Sequence, residues 1–254
     1  MGMKIKNNIL CGYTEEPDIT EIIIPDGITD IAFCAFENCK NIRNIVFPKS
    51  IKNIEARAFE GTQWLSNMRS DSPFVTVNGI LIDAKCCTGN VIIPDGIVCI
   101  GEEAFAHCFD ITSVKIPDSV KIICDSAFCG CEGMNEIEIP DGVEIIGDEA
   151  FSLCTNLEKI IIPDSVREIK NGAFSYCTYI RYAKLSENID IINPFTFLHC
   201  YSLEKVIMPQ NIKFIGKEAF KGCHMLREMI FLNAENTDPT AFQDTPLENG
   251  FRKL

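Results

Sequence analysis

One internal period governs this chain. Pro25 and Pro48 lie 23 residues apart, and Pro94, Pro117, Pro140 and Pro163 follow one another at the same interval of 23. Ser186 takes the next place and Pro209 the one after it. A phenylalanine column keeps the same step through Phe36, Phe59, Phe105, Phe128, Phe151, Phe174, Phe197 and Phe220, with Phe242 one residue early. Cys39, Cys108, Cys131, Cys154, Cys177, Cys200 and Cys223 form a third column. A fixed period of this length means stacked supersecondary units, each packing on its neighbours.

The unit from Leu157 to Cys177 shows why the repeats stack. Leu157, Ile160 and Ile162 end in period-two spacing, which predicts a short strand with Ile160 and Ile162 pointing inward. Pro163-Asp164 then turns the chain, because proline fixes its own φ and offers no N–H to a ladder. Val166 and Ile169 give a second inward pair. Ala173-Phe174 and Cys177 give a third, on a segment with roughly helical or 3₁₀ spacing. No unit can bury three apolar sides alone, so stacking must bury them in one continuous core.

The pattern breaks once. Residues 63 to 90 lack the repeat, yet Pro48 and Pro94 are 46 apart, twice the period. Within the break, Asn78-Gly79 sits between apolar runs, a strong hairpin signal that predicts a hairpin over 74–83. Val77-Asn78-Gly79-Ile80-Leu81 lines up with Lys6-Asn7-Asn8-Ile9-Leu10 near the start, which predicts a second hairpin there. Ala58-Phe59 and Ala241-Phe242 are each followed by a threonine, Thr62 and Thr245. The expectation is a short array over 3–70 and a long one over 71–254, sharing one elongated solenoid. Hairpins at array starts cover sheet edges that would otherwise be open.

The Leu-x-x-Ile-x-Ile strand, closed by Ala-Phe-x-x-Cys within 23 residues, resembles the BspA-like, treponemal-class leucine-rich repeat over about residues 3 to 247. The resemblance implies an α/β solenoid, a horseshoe or arc with a parallel β-sheet on its inner face. It implies β-hairpin caps and an insertion, with short 3₁₀, helical or irregular segments outside. It also implies a non-enzymatic protein-binding or adhesion role at microbial surfaces.

Composition narrows the partners. A net charge of -13 argues against nucleic acid or an anionic membrane, which need a basic patch. No apolar run reaches the length of a membrane helix. The first residues lack the apolar core of a signal peptide. The family resemblance suggests a cell-surface or secreted protein, whereas a wealth of free thiols suits the cytoplasm or a chain without its leader. Of the fourteen cysteines, the seven in the repeat column read best as a reduced packing ladder, because equivalent side chains in register have the wrong torsion for disulfides. Cys86-Cys87 is read as lying in a hairpin loop, where a thiol would be exposed and reactive.

No catalytic motif stands out, so no cofactor is expected and the chain is not read as an enzyme. A zinc site from His199, Cys200, Cys223 and His224 can be drawn. Both cysteines belong to the core column, however, and the four side chains would not converge. A metal-binding or Cys-dependent enzyme, and a purely structural spacer, are the alternative readings. The aspartates after the repeat prolines (Asp26, Asp95, Asp118, Asp141 and Asp164) read as turn residues.

What varies from copy to copy is the outward face of the strands. One column runs Glu21, Asn44, Asn90, Ser113, Glu136, Lys159, Tyr182, Lys205, Glu228. The other runs Ile23, Val46, Ile92, Lys115, Glu138, Ile161, Lys184, Ile207, Ile230. Variation on an invariant scaffold is the form of a recognition face. Exposed isoleucines in a row mark either a partner surface or β-propensity. The candidate binding residues are Glu136, Lys159, Ile161, Tyr182, Lys184 and Lys205, centred on Tyr182 because tyrosine is enriched at hot spots. The partner expected is a protein of unknown identity.

Overall fold

In a computed structural model of the chain, the structure describes residues 2–230 and 236–248. Each repeat makes one rung with three sides. The front side is a short strand such as Lys159–Ile161. After the proline turn comes a two-residue strand such as Glu168–Ile169 on a second, lateral side. The third side is a run of turns carrying the Ala-Phe pair and the cysteine. Successive rungs pair in parallel on the front, as Lys159, Ile160 and Ile161 do with Tyr182, Ala183 and Lys184. They pair in parallel on the lateral side too, as Ile122 and Ile123 do with Ile145 and Ile146.

The Ala-Phe side forms no helix, although its spacing resembles one. In most rungs two positions take the left-handed conformation instead. The first column includes Glu103 (φ 53), Ser126 (φ 53), Glu149 (φ 53) and Phe195 (φ 63). The second includes His107 (φ 61), Leu153 (φ 60), Tyr176 (φ 59) and His199 (φ 57). Alternating the hand turns every second N–H along the solenoid axis. Ser126, Phe128 and Gly130 thus donate to the carbonyls of Asp148, Ala150 and Ser152, each at 2.8 Å. A helix would direct these N–H groups back along its own segment. Here they extend the ladder around the corner, which offsets the left-handed cost borne by non-glycine residues.

The core follows the columns. Phe105, Phe128, Phe151, Phe174, Phe197 and Phe220 are all 0% exposed. Their rings stack from rung to rung with centroids 4.8 to 5.4 Å apart and tilts of 2° to 15°. The cysteines do more than fill space. The thiols of Cys131, Cys154, Cys177, Cys200 and Cys223 donate to the phenylalanine carbonyl of the preceding rung at 3.0 to 3.2 Å. The two Ala-Phe-x-x-Thr sequences close differently. Thr62 and Thr245 donate to the carbonyl of their own rung's phenylalanine, at 2.8 and 2.7 Å, and each hydroxyl then accepts a following N–H.

Both hairpins form. Met3–Lys6 pairs antiparallel with Ile9–Tyr13, and Val75–Val77 with Ile80–Asp83. Asn7 and Asn8 (φ 50 and 64), like Asn78 and Gly79 (φ 51 and 81), make the tight turns. The second strand of each hairpin is the first rung of a lateral sheet: Ile9–Tyr13 pairs with Asp30–Ile31, and Ile80–Asp83 with Cys99–Ile100.

The break also holds an element that the repeat pattern conceals, the helix Gln63–Asp71, capped by Thr62. Trp64 and Leu65 are buried, and Met68 packs on the same cluster. From the last turn of the helix, Arg69 grips Asp83 through two hydrogen bonds of 2.9 and 2.7 Å and also pairs with Glu60. The short array and the hairpin share one cluster that contains Phe36, Phe59, Trp64 and Val75, while Leu81 begins the cluster of the long array.

Candidate functional site

The front sheet is interrupted within the long array. Glu136–Glu138 pairs back to Ile111–Lys115, and Lys159–Ile161 pairs onward to Tyr182–Lys184, but these two neighbouring strands are not joined to each other. One weak link remains beside them, Glu158 N–H to the Asn135 carbonyl at 3.4 Å. The equivalent bond is 3.0 Å in the preceding rung and 2.9 Å in the following one. The lateral strands Ile145–Ile146 and Glu168–Ile169 stay paired behind the gap. The seam therefore opens only at the front.

Two glycines lie beside the seam. Gly133 and Gly142 bracket the Glu136–Glu138 strand. A Cβ at Gly133 would stand 2.2 Å from the Phe109 carbonyl oxygen, and one at Gly142 would stand 2.1 Å from that of Asp118. No side chain tolerates such contacts, so the rung is seated against its predecessor as only glycine permits. The next rung carries Asn156 and Ser165 at these places. The front strand beside the seam is slightly uncovered: Ile137 and Ile139 are 8% and 7% exposed, against 0% and 1% for Ile160 and Ile162.

A groove of about 470 Å³ lies along this seam. Glu136, Glu138 and Asp141 line one wall, while Lys159, Ile161 and Lys184 line the other, with Asp164 at the turn. Ile161 is 49% exposed and offers an apolar contact between the two lysines. The groove is a cleft with an acidic wall, a basic wall and an apolar strip. That arrangement suits a partner surface carrying both charges, and it contains no nucleophile with a positioned base.

Of the six candidate residues, four (Glu136, Lys159, Ile161 and Lys184) meet in this groove. Tyr182 and Lys205 lie farther along the sheet. Tyr182 sits in register between Lys159 and Lys205, and Lys205 pairs with Glu228 at 2.9 Å, which raises its pKa. In the apolar column Ile23, Val46 and Ile92 are exposed, but Ile207 is half-buried, and the side chain of Ile230 lies outside the described residues.

The histidines take part in another arrangement. Tyr176, His199, Tyr201 and His224 form a chain of ring contacts at 5.2, 5.5 and 5.4 Å along one edge of the turns. His107 and His199 lie over Gly130 and Gly222, where a Cβ would come 2.5 and 2.4 Å from the ring nitrogen. Cys200 and Cys223 point into the core beneath them. Among the described residues no three His, Cys, Asp or Glu side chains gather as metal ligands would. Reading outward positions from the strands alone missed this aromatic edge. Its sequence signal was the pair of positions flanking the ladder cysteine. The reading of Cys86-Cys87 needs correction as well. The pair follows the hairpin strand in a turn; Cys86 is exposed but Cys87 is buried, and burial pushes its thiol up to about 11.

Comparison with known proteins places this geometry. The BspA type leucine rich repeat region matches residues 11–135 and 121–248, in six copies. No curated protein matches the chain. Among solved structures, a leucine-rich repeat protein from Bacteroides ovatus is similar at 24% identity and a TM-score of 0.58, over 97% of this chain and 55% of that one. The chain thus spans about half the length of that relative. A leucine-rich repeat protein from Eubacterium ventriosum is similar at 15% identity and a TM-score of 0.50, covering 97% of this chain and 89% of that one. The pneumococcal vaccine antigen PcpA aligns at 15% identity with a TM-score of 0.52, over 85% of this chain and 69% of that one. With stacked parallel rungs, a buried Ala-Phe column and a family match along nearly its whole length, the chain belongs to the BspA type leucine-rich-repeat family.

Proposed function

We propose that this chain is a non-enzymatic protein-binding module of adhesion type, and that its ligand docks on the front sheet over the groove between Glu136–Glu138 and Lys159–Ile161. The observation that carries this reading is the seam, where a regular scaffold opens and Glu136, Lys159, Ile161 and Lys184 converge on one cleft. Opposed acidic and basic walls favour a partner with complementary charges and would set its orientation more than its affinity. Ile161 supplies apolar area at the centre, where binding energy concentrates. Membership of a repeat family often found in surface and adhesion proteins supports the same reading. The test is capture of partners from host and microbial extracts by the wild-type chain and by a Glu136→Lys, Lys159→Glu, Lys184→Glu variant. The expected outcome is a protein retained by the wild type and lost by the variant. Equal retention by both would remove the groove from the binding surface.

A further inference from the structure

Cys99 and Cys124 differ from the other thiols in both position and surroundings. Cys99 opens the lateral strand Cys99–Ile100, and Cys124 directly follows its neighbour Ile122–Ile123. These strands run parallel with Cys99 opposite Ile122. Cys124, two residues on, returns to the face that Cys99 occupies. The two sulfurs are 3.2 Å apart. The cysteine column is different: Cys131, Cys154, Cys177, Cys200 and Cys223 are 0% exposed, and each donates its S–H to a carbonyl. Cys99 and Cys124 are only half-buried, so a small reagent can reach them.

The torsion argument against disulfides in the column does not apply to this pair. Column cysteines are 23 residues apart and stand in register. Cys99 and Cys124 are 25 apart, so they face each other diagonally across adjacent strands. Diagonal neighbours stand about 7–8 Å apart at Cα, just beyond the usual disulfide span, so closing the 3.2 Å sulfur contact into a bond draws the two strand ends together.

We propose that Cys99 and Cys124 form a reversible intramolecular disulfide when the chain meets a small hydroperoxide. The Cys99 thiolate attacks one peroxide oxygen, the O–O bond breaks, and the departing oxygen takes up a proton as water or alcohol. Cys99 is left as a sulfenic acid. Cys124 then gives up its proton and attacks the Cys99 sulfur. The S–S bond forms, the S–O bond breaks, and hydroxide leaves as water. In sum, two thiols and one hydroperoxide yield one disulfide, one water and one water or alcohol. The protein loses two hydrogens and two electrons, and the O–O bond is reduced. Either S–H can donate across this contact; the contact lowers the Cys99 thiol, and with burial it raises that of Cys124, so Cys99 is written as the attacking thiolate. An external dithiol reverses the bond by exchange. The disulfide would staple two lateral strands close to Glu102, whose carboxylate accepts the Ala56 N–H of the short array at 3.0 Å.

The test uses the full chain, fully reduced and then treated with hydrogen peroxide. Free thiols are alkylated, and the non-reduced digest is read by mass spectrometry. The expected product is a Cys99 peptide joined to a Cys124 peptide, two hydrogens lighter than the pair and released by dithiothreitol. Oxidation raises the unfolding midpoint of the wild type. The rise is absent in Cys99→Ser and in Cys124→Ser, and each variant keeps the wild-type circular dichroism spectrum when reduced. Two results would overturn the proposal: both thiols alkylated after peroxide, or Cys99 recovered as a sulfinic acid beside an alkylated Cys124.

Discussion

Single residues matter here through the column they occupy. Phe151 stacks on Phe128 and Phe174 with nearly parallel rings, so Phe151→Ala opens a void between two rungs. The expected loss is ~3–5 kcal/mol in a denaturant titration, the usual cost for a buried phenylalanine. A near-neutral result would take the column out of the core. Cysteine is the right residue for its column because a thiol is small, apolar and able to donate. Cys154 has its S–H on the Phe128 carbonyl, so Cys154→Ala loses both packing and a weak donor, for roughly 1 kcal/mol. Titration gives a further check. Burial pushes the Cys108 thiol from its ordinary value of 9.0 up to about 12. Folding therefore favours the protonated thiol. That contribution is complete below the unfolded value near 9.0 and disappears as pH rises through about 12. The urea midpoint should fall across this window, and fall less steeply in Cys108→Ala.

At the scale of elements, the rung-to-rung fit decides what each strand can do. Gly142 lets Glu136–Glu138 lie against the preceding rung, and a Cβ there would stand 2.1 Å from the Asp118 carbonyl oxygen. Gly142→Ala must push the strand toward the seam, at a cost of ~1–3 kcal/mol from overpacking. Amide exchange should slow in Lys159–Ile161 as the seam narrows, and unchanged exchange would mean that the glycine does not set the gap. Part of this element structure was legible in the sequence. The period placed the front strands, and Asn78-Gly79 placed a hairpin. The helix Gln63–Asp71 escaped because a repeat search reads its segment only as missing repeat, although Thr62 followed by buried Trp64 and Leu65 is a capped helix start. The Ala-Phe side escaped for another reason. Helical spacing and alternating left- and right-handed turns place the same side chains inward, and only the direction of the N–H groups separates the two.

For the whole molecule the decisive contacts join the arrays. Asp83 is 6% exposed at its side chain, and its charge is met by Arg69 from the helix. Arg69→Ala strands that carboxylate and should cost about 3 kcal/mol. The wild type is expected to unfold in a single calorimetric transition, because the hairpin at 75–83 contributes to both cores. Arg69→Ala should separate an early transition of the short array from a later one of the long array. Two transitions in the wild type would mean that the arrays are independent from the start.

By itself the sequence determined the rung: its length, its three inward columns, its proline corner and the two hairpins. These follow from local spacing, and a strict repeat gives every copy the same environment. It also nominated four of the residues that line the groove, since outward positions alternate with inward ones along a strand. Only the tertiary structure decided that the front sheet parts beside Glu136–Glu138, that Cys99 and Cys124 touch, and that the rings from Tyr176 to His224 run together. Each of these is a relation between rungs. Its distance is set by how closely one turn of the solenoid settles on the next, which the repeat spacing alone does not fix.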